Sequence, residues 1–204
     1  MQKTQTIFFA SLGGLALLAL ALFAVNVWPK GNENPRPHVV ATDPYVGKSN
    51  GKVTIVAFTD FECDYCRAEV ATLKIIVSEN KDNVKLVHKD FPLTGHVNAR
   101  RAALIGRCAQ DQGKFWTMYD VLFNHQVELG SIKLDTLAKE ADVNPTALAA
   151  CVQAGTNSSL VEASLAEGTR LGLTDAPTIY VNSEKYVGLT DQTTLQQAIN
   201  RGLR

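Results

Sequence analysis

Apolar residues follow two different periods along this chain, and the change of period separates predicted strands from predicted helices. The run 53–59 is apolar or β-branched throughout, which is typical of a strand buried on both faces. The segment 64–78 then has apolar residues at the helical spacings 4, 3 and 4, at Cys66, Val70, Leu73 and Val77. A second strand is predicted at 83–89. This order of strand, helix and strand indicates a parallel sheet and an α/β fold.

Only helical patterns follow between residues 97 and 172, and an inserted helical subdomain is expected there. Helices are predicted over 97–111, 114–126, 134–141, 145–154 and 158–171. The clearest start is Asn144-Pro145, because Asn144 can cap a helix and Pro145 suits its first turn. Strand patterns return at 178–181 and 185–188, and a final helix is predicted over 191–201. The sheet is therefore predicted to be interrupted by the helical block.

A run of 22 residues without a charged side chain, from Ile7 to Trp28, lies near the N-terminus. At about 1.5 Å per residue it would span roughly 30 Å, the thickness of the apolar part of a bilayer. This length favours a transmembrane signal anchor. A cleaved signal peptide is the alternative, although the small residues Ala19 and Ala21 lie inside the run rather than at its end. Either interpretation exports the rest of the chain.

The remaining domain boundaries follow from composition. Residues 1–28 are assigned to the signal anchor or signal peptide, and 29–50, which contain four prolines, to a tether. The folded domain is then expected to comprise a first α/β part at 51–96, the helical subdomain at 97–172 and a second α/β part at 173–204. The 20 basic and 20 acidic residues balance. Such a chain lacks the basic excess of a nucleic-acid-binding protein.

The motif Cys63-Asp64-Tyr65-Cys66 stands at the junction of the first strand and the first helix. Residues three apart on a first helical turn lie on one side, so the two sulfur atoms can form a disulfide. The helix N-terminus stabilises a thiolate at its first residue. Cys63 is therefore predicted to be the exposed, attacking thiol and Cys66 the shielded, resolving one.

Other chemistries of this cysteine pair fit the sequence less well. A zinc site would need two further ligands, and the histidines show no paired metal spacing with Cys108 or Cys151. Haem attachment would need a histidine where Arg67 stands. A structural disulfide that never exchanges remains an alternative. The sequence thus predicts thiol–disulfide exchange without a metal or a cofactor.

Four motifs resemble the DsbA-like thiol:disulfide oxidoreductases of the thioredoxin superfamily. They are the segment 56–66 (VAFTDFECDYC), the segment 89–93 (KDFPL), the insertion motif starting at 113 (GKFW) and Ala176-Pro177-Thr178. The resemblance covers about residues 45–202. It implies a thioredoxin fold with an inserted all-helical subdomain, and a cis Pro177 packed beside the Cys63–Cys66 pair. It also implies that the backbone of Ala176 pairs with an extended substrate.

The resemblance further implies a reaction cycle. The Cys63–Cys66 disulfide would pass to reduced exported proteins through a mixed disulfide at Cys63. A membrane quinone-linked reoxidase of the DsbB or VKOR-like type would then restore it. The protein would be anchored in the inner or cytoplasmic membrane, with its catalytic domain on the periplasmic or extracellular face. The alternatives are a disulfide reductase or isomerase with the same cysteines, or a non-catalytic exported peptide-binding module.

Two positions depart from the pattern of the family. Asp64 stands where a proline is usual, and its carboxylate is expected to raise the pKa of Cys63 and weaken the oxidant, unless it is simply solvated at the helix end. Ala176 stands where a threonine or valine is common before the cis-proline. Tyr65 completes the motif between the cysteines.

The other candidates lie outside this motif. Cys108 and Cys151 fall on apolar faces of predicted helices. In an exported protein they are expected to form a second, structural disulfide, and some DsbA-like proteins carry such a bond in this subdomain. Two buried free thiols are the alternative. Asp60 and Glu62 either tune the cysteine pair or are solvated. Structural roles are expected for His88, His96 and His125, and Trp116 belongs to the core or lines a groove.

Overall fold

The computed structural model describes residues 35–204. The apolar run 7–28, assigned above to a signal anchor or signal peptide, lies outside the described residues. Among residues 35–204, none of the helices combines the length and apolar character that crossing a membrane requires.

A mixed five-stranded sheet forms the centre of the domain, with the strand order β1-β3-β2-β4-β5. The strands are β1 (Tyr45–Gly47), β2 (Val53–Thr59), β3 (Val84–Asp90), β4 (Thr178–Val181) and β5 (Glu184–Val187). Strands β2 and β3 are parallel, and the other neighbouring pairs are antiparallel. The central strand β2 is buried along almost its whole length, as its continuous apolar run predicts.

Within residues 35–204, seven α-helices surround this sheet. They are α1 (Asp64–Glu79), α2 (Ala99–Gln110), α3 (Phe115–Asn124), α4 (Leu134–Glu140), α5 (Pro145–Ala154), α6 (Ser158–Arg170) and α7 (Gln192–Gly202), with a 3₁₀ turn at Gln126–Glu128. Helices α2 to α6 lie between β3 and β4 in the chain. The mixed α/β fold is therefore confirmed, and these five helices lie within the range 97–172 predicted for the insertion.

The predicted caps explain where the clearest helix begins and ends. The side chain of Asn144 accepts a hydrogen bond from the backbone N–H of Ala147 at 2.9 Å, and Pro145 occupies the first turn of α5. The helix ends at Gly155, whose φ of 64° lies in the left-handed region that glycine adopts without strain. These local signals define both ends of α5.

The strand β1 was not predicted, and it corrects the assignment of its residues to a tether. It pairs with β3 at the edge of the sheet, and the Trp116 indole donates a hydrogen bond to Tyr45 O at 2.7 Å. Just before it, Asp43 and Lys89 form a buried ion pair at 2.7 Å. A strand of three residues next to Pro44 is too short to show a period, so tertiary contacts rather than local pattern create it.

The two faces of the sheet carry two hydrophobic cores. Val56 and Phe58 of β2 point into the larger core, which includes the inserted helices. Ile55 and Ala57 point into the smaller core, which includes residues of α1 and α7. The alternation of side chains along β2 thus joins both layers to the strand that leads into the cysteine motif.

Candidate active site

The cysteine motif lies where β2 ends and α1 begins. After Thr59, the turn at 60–62 brings Cys63 to the N-cap position of α1, and its backbone N–H donates to Asp60 O at 3.2 Å. The carbonyl of Cys63 accepts the first helical bond, from Arg67 N, at 3.2 Å. Because the first N–H groups of a helix have no partners within it, the Cys63 sulfur lies in a region of positive potential.

Both thiols are free and largely buried, but to different degrees. Cys63 is 6% exposed and Cys66 is 0% exposed. Cys63 is thus the more accessible of the two, but the prediction that it is an exposed thiol is wrong, because Ala176 covers it. The Cys63 sulfur lies 3.2 Å from Ala176 O, and the Cys66 sulfur accepts a hydrogen bond from Asp60 N at 3.3 Å.

The surroundings shift the pKa values of the two thiols in opposite directions. The hydrogen bond from the Cys66 side chain, aided by the backbone N–H groups of Cys66 and Tyr65, outweighs burial and lowers the pKa of Cys63 to about 6. The charge of Asp60 opposes this effect. Burial raises the pKa of Cys66 far above that of an ordinary thiol, and its hydrogen bond to Cys63 adds to this. At neutral pH, Cys63 is therefore a thiolate beside a protonated Cys66.

A cis peptide bond joins Ala176 and Pro177, in the loop before β4. Strand β4 pairs antiparallel with β2, and Thr178 lies opposite Phe58, so this loop reaches the end of β2 that carries the cysteines. The Pro177 carbonyl accepts a hydrogen bond from Gly188 N at 2.8 Å. The structure thus places Ala176 and Pro177 beside Cys63, where the resemblance implies them.

Asp60 is the buried centre of the turn before the cysteines. It is 1% exposed, and its carboxylate accepts hydrogen bonds from Glu62 N and Leu93 N, both at 2.7 Å, and from His96 Nδ1 at 2.8 Å. Of the two interpretations offered for Asp60, the solvated one is wrong. The loop between β3 and α2 closes over this carboxylate, which no local sequence pattern reveals.

The same loop also holds Glu62. Its carboxylate accepts two hydrogen bonds from Asn98, from the backbone N–H and from the side-chain amide, both at 2.6 Å. Glu62 is therefore only partly exposed and anchors the turn to the start of α2. Together with the bonds of Asp60, these bonds fix the turn that precedes the cysteine motif.

Gln126 is a site residue that the sequence reasoning missed. It lies in the 3₁₀ turn of the helical insertion, and its side-chain amide donates to the carbonyls of Phe61 and Cys63, both at 2.9 Å. The residue is 5% exposed. A single glutamine 60 residues or more from the motif carries no signal in one sequence, so only the fold identifies it.

Asp64 and Tyr65, between the cysteines, point outward. The Asp64 side chain is 80% exposed and lies 3.9 Å from the Arg67 guanidinium. Tyr65 is 66% exposed. The carboxylate that raises the pKa of Cys63 is thus the buried Asp60. The effect predicted for Asp64 stays a prediction, and screening by water makes it a small one.

The remaining candidates do not reach the cysteine motif. Cys108 of α2 and Cys151 of α5 form a disulfide bond, the pairing expected from the sequence. His88 is buried between Asp90, at 2.9 Å, and Thr59, and it keeps a structural role. 

Two further candidates lie at the surface. His125 contacts Glu128 and Glu140 at 3.0 and 2.8 Å. Trp116 lines an apolar pocket of about 360 Å³ together with Val70 and other residues of α1. Within residues 35–204, no three His, Cys, Asp or Glu side chains are grouped so that they could hold a metal ion.

The fold and the cysteine pair at the start of α1 are those of a thioredoxin-like protein, and a comparison with known families agrees. The Thioredoxin_4 family model, described as thioredoxin, matches residues 40–201. Since the match covers most of the chain, the chain belongs to this thioredoxin family.

Solved structures show the same fold. A thioredoxin-like oxidoreductase from Silicibacter pomeroyi is 26% identical with a TM-score of 0.69, covering 80% of this chain and 94% of that one. BdbD from Bacillus subtilis is 23% identical with a TM-score of 0.73, covering 83% of this chain and 97% of that one. DsbA2 from Pseudomonas aeruginosa is 22% identical with a TM-score of 0.67, covering 80% and 96%.

Curated relatives match over only part of their length. The Na⁺/H⁺ antiporter NhaA 1 of Mycolicibacterium gilvum is 26% identical over 193 residues, which are 91% of this chain and 31% of that protein. NhaA 3 of Salinispora tropica is 29% identical over 155 residues, 75% of this chain and 24% of that protein. The chain spans less than a third of the length of these relatives.

Proposed function

We propose that this protein is an extracytoplasmic thiol–disulfide oxidoreductase that donates the Cys63–Cys66 disulfide to reduced exported proteins. The observation that carries the proposal is the contrast between the two thiols at the start of α1. The pKa of Cys63 is lowered to about 6, whereas burial raises that of Cys66. A disulfide whose reduced form contains a stabilised thiolate is an oxidant, because stabilising the reduced form favours reduction of the disulfide.

The exchange has two steps. A substrate thiolate attacks the Cys63 sulfur, a mixed disulfide forms there, and the Cys63–Cys66 bond breaks with Cys66 taking up a proton. A second substrate thiolate then attacks the substrate sulfur of the mixed disulfide, and Cys63 leaves as a thiolate. Two electrons pass from the substrate to the protein, and the substrate gains a disulfide. The low pKa of Cys63 makes it a good leaving group in the second step.

The loop of the cis-proline supplies a binding edge for the substrate. Ala176 O lies 3.2 Å from the Cys63 sulfur, so a peptide seated along this backbone would have its cysteine next to Cys63. Backbone hydrogen bonds of this kind accept many sequences. Such a contact suits an enzyme whose substrates share only a reduced cysteine.

The cellular setting and the reoxidising partner rest on the sequence. The run 7–28 would anchor the chain in the cytoplasmic membrane, with residues 35–204 on the periplasmic or extracellular face. The Cys108–Cys151 disulfide fits an oxidising compartment. A membrane quinone-linked partner of the DsbB or VKOR-like type would reoxidise the cysteines, as the family resemblance implies.

One observation favours a second candidate, a disulfide reductase or isomerase with the same cysteines. The buried charge of Asp60 opposes the Cys63 thiolate, and a less stabilised thiolate makes a weaker oxidant. A non-catalytic peptide-binding module is the third candidate. Such a module would not need the low pKa of Cys63.

Equilibration with glutathione buffers distinguishes these functions. The protein is incubated at a series of ratios of reduced to oxidised glutathione, and the fraction with a Cys63–Cys66 disulfide is measured after acid quenching and alkylation. We expect a strongly oxidising couple and fast oxidation of a reduced client peptide. A reducing couple would support the reductase. Cys63→Ser must abolish exchange, whereas Cys108→Ala with Cys151→Ala leaves it intact; exchange that survives Cys63→Ser would refute the proposal.

A further inference from the structure

The cysteine motif contains no cationic side chain. Asp64 and Tyr65, between the cysteines, provide no cation, and the Arg67 guanidinium is exposed and lies beside Asp64. The loop between β3 and α2 brings His96 to the turn that carries the cysteines. We propose that His96, held by Asp60, is the positioning residue whose positive charge stabilises the Cys63 thiolate and makes the Cys63–Cys66 couple more oxidising at low pH.

Contacts through a single residue, Asp60, link His96 to the Cys66 sulfur and to the backbone of Cys63. His96 Nδ1 donates to the Asp60 carboxylate at 2.8 Å, and Asp60 N donates to the Cys66 sulfur at 3.3 Å. Asp60 O accepts a hydrogen bond from Cys63 N at 3.2 Å. The charge of His96 therefore acts on a rigid turn in which both cysteine positions are fixed.

His96 and Asp60 differ in their access to solvent. The His96 side chain is 34% exposed, whereas that of Asp60 is 0% exposed and is further held by the N–H groups of Glu62 and Leu93. The Asp60 carboxylate therefore has three donors and no contact with water, whereas the His96 imidazole can exchange its proton with solvent. A charge on His96 can thus follow the pH of the solution.

The charges that face His96 come from three parts of the fold. Asp60 and Glu62 belong to the turn before α1, Cys63 to the start of α1, and Arg100 of α2 lines the same groove as His96. Burial lowers the pKa of His96, but the hydrogen bond to Asp60 and the charges of Asp60, Cys63 and Glu62 outweigh it and raise the pKa. Arg100 opposes protonation, and its guanidinium is engaged by Glu162.

The coupling between His96 and Cys63 is reciprocal. Because the Cys63 thiolate raises the pKa of His96, protonated His96 must favour the thiolate by the same amount. Reduction of the disulfide by two electrons and one proton yields the Cys63 thiolate and the Cys66 thiol. The oxidised protein has no thiolate, so the cation stabilises only the reduced form. The buried negative charge of Asp60 is thereby balanced while His96 is protonated.

The inference rests on the proposed exchange at Cys63 and is tested with His96→Gln. Gln removes the charge and keeps a donor for Asp60. We expect the pKa of Cys63, followed by thiolate absorbance, to rise by about one pH unit, and the glutathione equilibrium at pH 7 to 8 to shift about five- to tenfold toward the disulfide. His96→Lys, which keeps a cation, returns both values toward those of the unchanged protein.

His125→Gln is the matched control, since His125 also contacts carboxylates but lies in the helical insertion beside Glu128 and Glu140. It leaves the pKa of Cys63 unchanged. A shift in His125→Gln as large as that in His96→Gln would overturn the inference.

A second measurement needs no variant. The pKa of the His96 ring, followed by NMR in the reduced and oxidised proteins, is expected to be higher in the reduced protein by about as much as His96→Gln raises the pKa of Cys63. Equal His96 values in both states would overturn the inference, even if the couple exchanges normally. A Cys63 that does not exchange with glutathione at all would instead refute the proposed function.

Discussion

At the scale of single residues, the two cysteines show how position on a helix separates identical side chains. Cys63 lies at the N-cap, where backbone N–H groups and the Cys66 thiol donate to it, and Cys66 lies one turn inward, where burial dominates. The spacing of the motif predicts the direction of this contrast, while the attacking role of Cys63 and the resolving role of Cys66 stay predictions. The exposure of Cys63 could not be predicted in the same way, because Ala176 covers it from a loop 113 residues away.

Asp64 gives a prediction at this scale. Replacing it with proline, Asp64→Pro, removes a carboxylate near Cys63 and suits the first helical position. Because the side chain is 80% exposed and lies 3.9 Å from the Arg67 guanidinium, we expect the pKa of Cys63 to fall by less than about half a pH unit. Thiolate absorbance during a pH titration measures this, with Glu79→Gln at the far end of α1 as the control. A higher pKa in Asp64→Pro would contradict the prediction.

At the scale of elements, the packing of α1 against the segment before α7 encloses an ionisable group. Glu69 of α1 is 0% exposed, and one carboxylate oxygen accepts a hydrogen bond from Thr190 N at 2.8 Å. The other oxygen has no hydrogen-bond partner among residues 35–204. Burial raises the pKa of this carboxyl to about 6, against 4.5 for an ordinary glutamate. Burial of this carboxyl therefore destabilises the fold most when Glu69 is ionised.

The pH dependence of stability follows from this shift. A carboxyl whose pKa is raised in the folded state stabilises the fold while it is protonated, and the benefit is lost as the pH rises from about 4.5 to about 6, by about 2 kcal/mol. Glu69→Gln removes this loss. We expect its free energy of unfolding, relative to the unchanged protein, to rise by about 2 kcal/mol between pH 4 and pH 7.5.

Urea unfolding across this pH range measures the difference between the two proteins. Glu79→Gln, at the exposed C-terminal end of the same helix, is the control and should show no comparable change with pH. A difference for Glu69→Gln that stays constant from pH 4 to pH 7.5 would show that the buried carboxyl does not titrate in this range.

The elements themselves were predictable where local chemistry defines them. The continuous apolar run of β2 and the capping residues of α5 fix those elements within the sequence. The strand β1 and the 3₁₀ turn at Gln126–Glu128 were not predicted, since each has only three residues and depends on contacts with distant segments. Gln126, which holds the carbonyl of Cys63, was missed for the same reason.

At the scale of the whole molecule, one buried arginine joins the sheet to the helical insertion. Arg107 of α2 is 1% exposed, and its guanidinium donates to the Asp90 carboxylate of β3 at 2.6 Å. It also donates to Thr42 O and to the Ser164 hydroxyl of α6, both at 3.0 Å. Four separate segments therefore meet at this side chain. A charged residue on a helix gives no sign in the sequence that it is buried.

Arg107→Met tests this arrangement. The substitution leaves the Asp90 carboxylate buried without its cation, so we expect the free energy of unfolding to fall by about 3 to 5 kcal/mol. Arg101→Met, at an exposed position on the same helix, is the control and should change it by less than about 0.5 kcal/mol. Chemical unfolding of both variants measures the difference. A loss for Arg107→Met no larger than that for Arg101→Met would contradict the role assigned to this residue.

The order of the strands has a consequence for how such proteins diversify. The chain enters the helical insertion from β3 and leaves it into β4, and these two strands are the neighbours of β2, which leads to the cysteines. Changes in the size or shape of the insertion would thus alter the surface on both sides of the cysteine pair. Strand β2 and the two cysteines that follow it would stay in place. Proteins with this strand order can thus differ in the surface around the cysteines while the positions of the two cysteines stay the same.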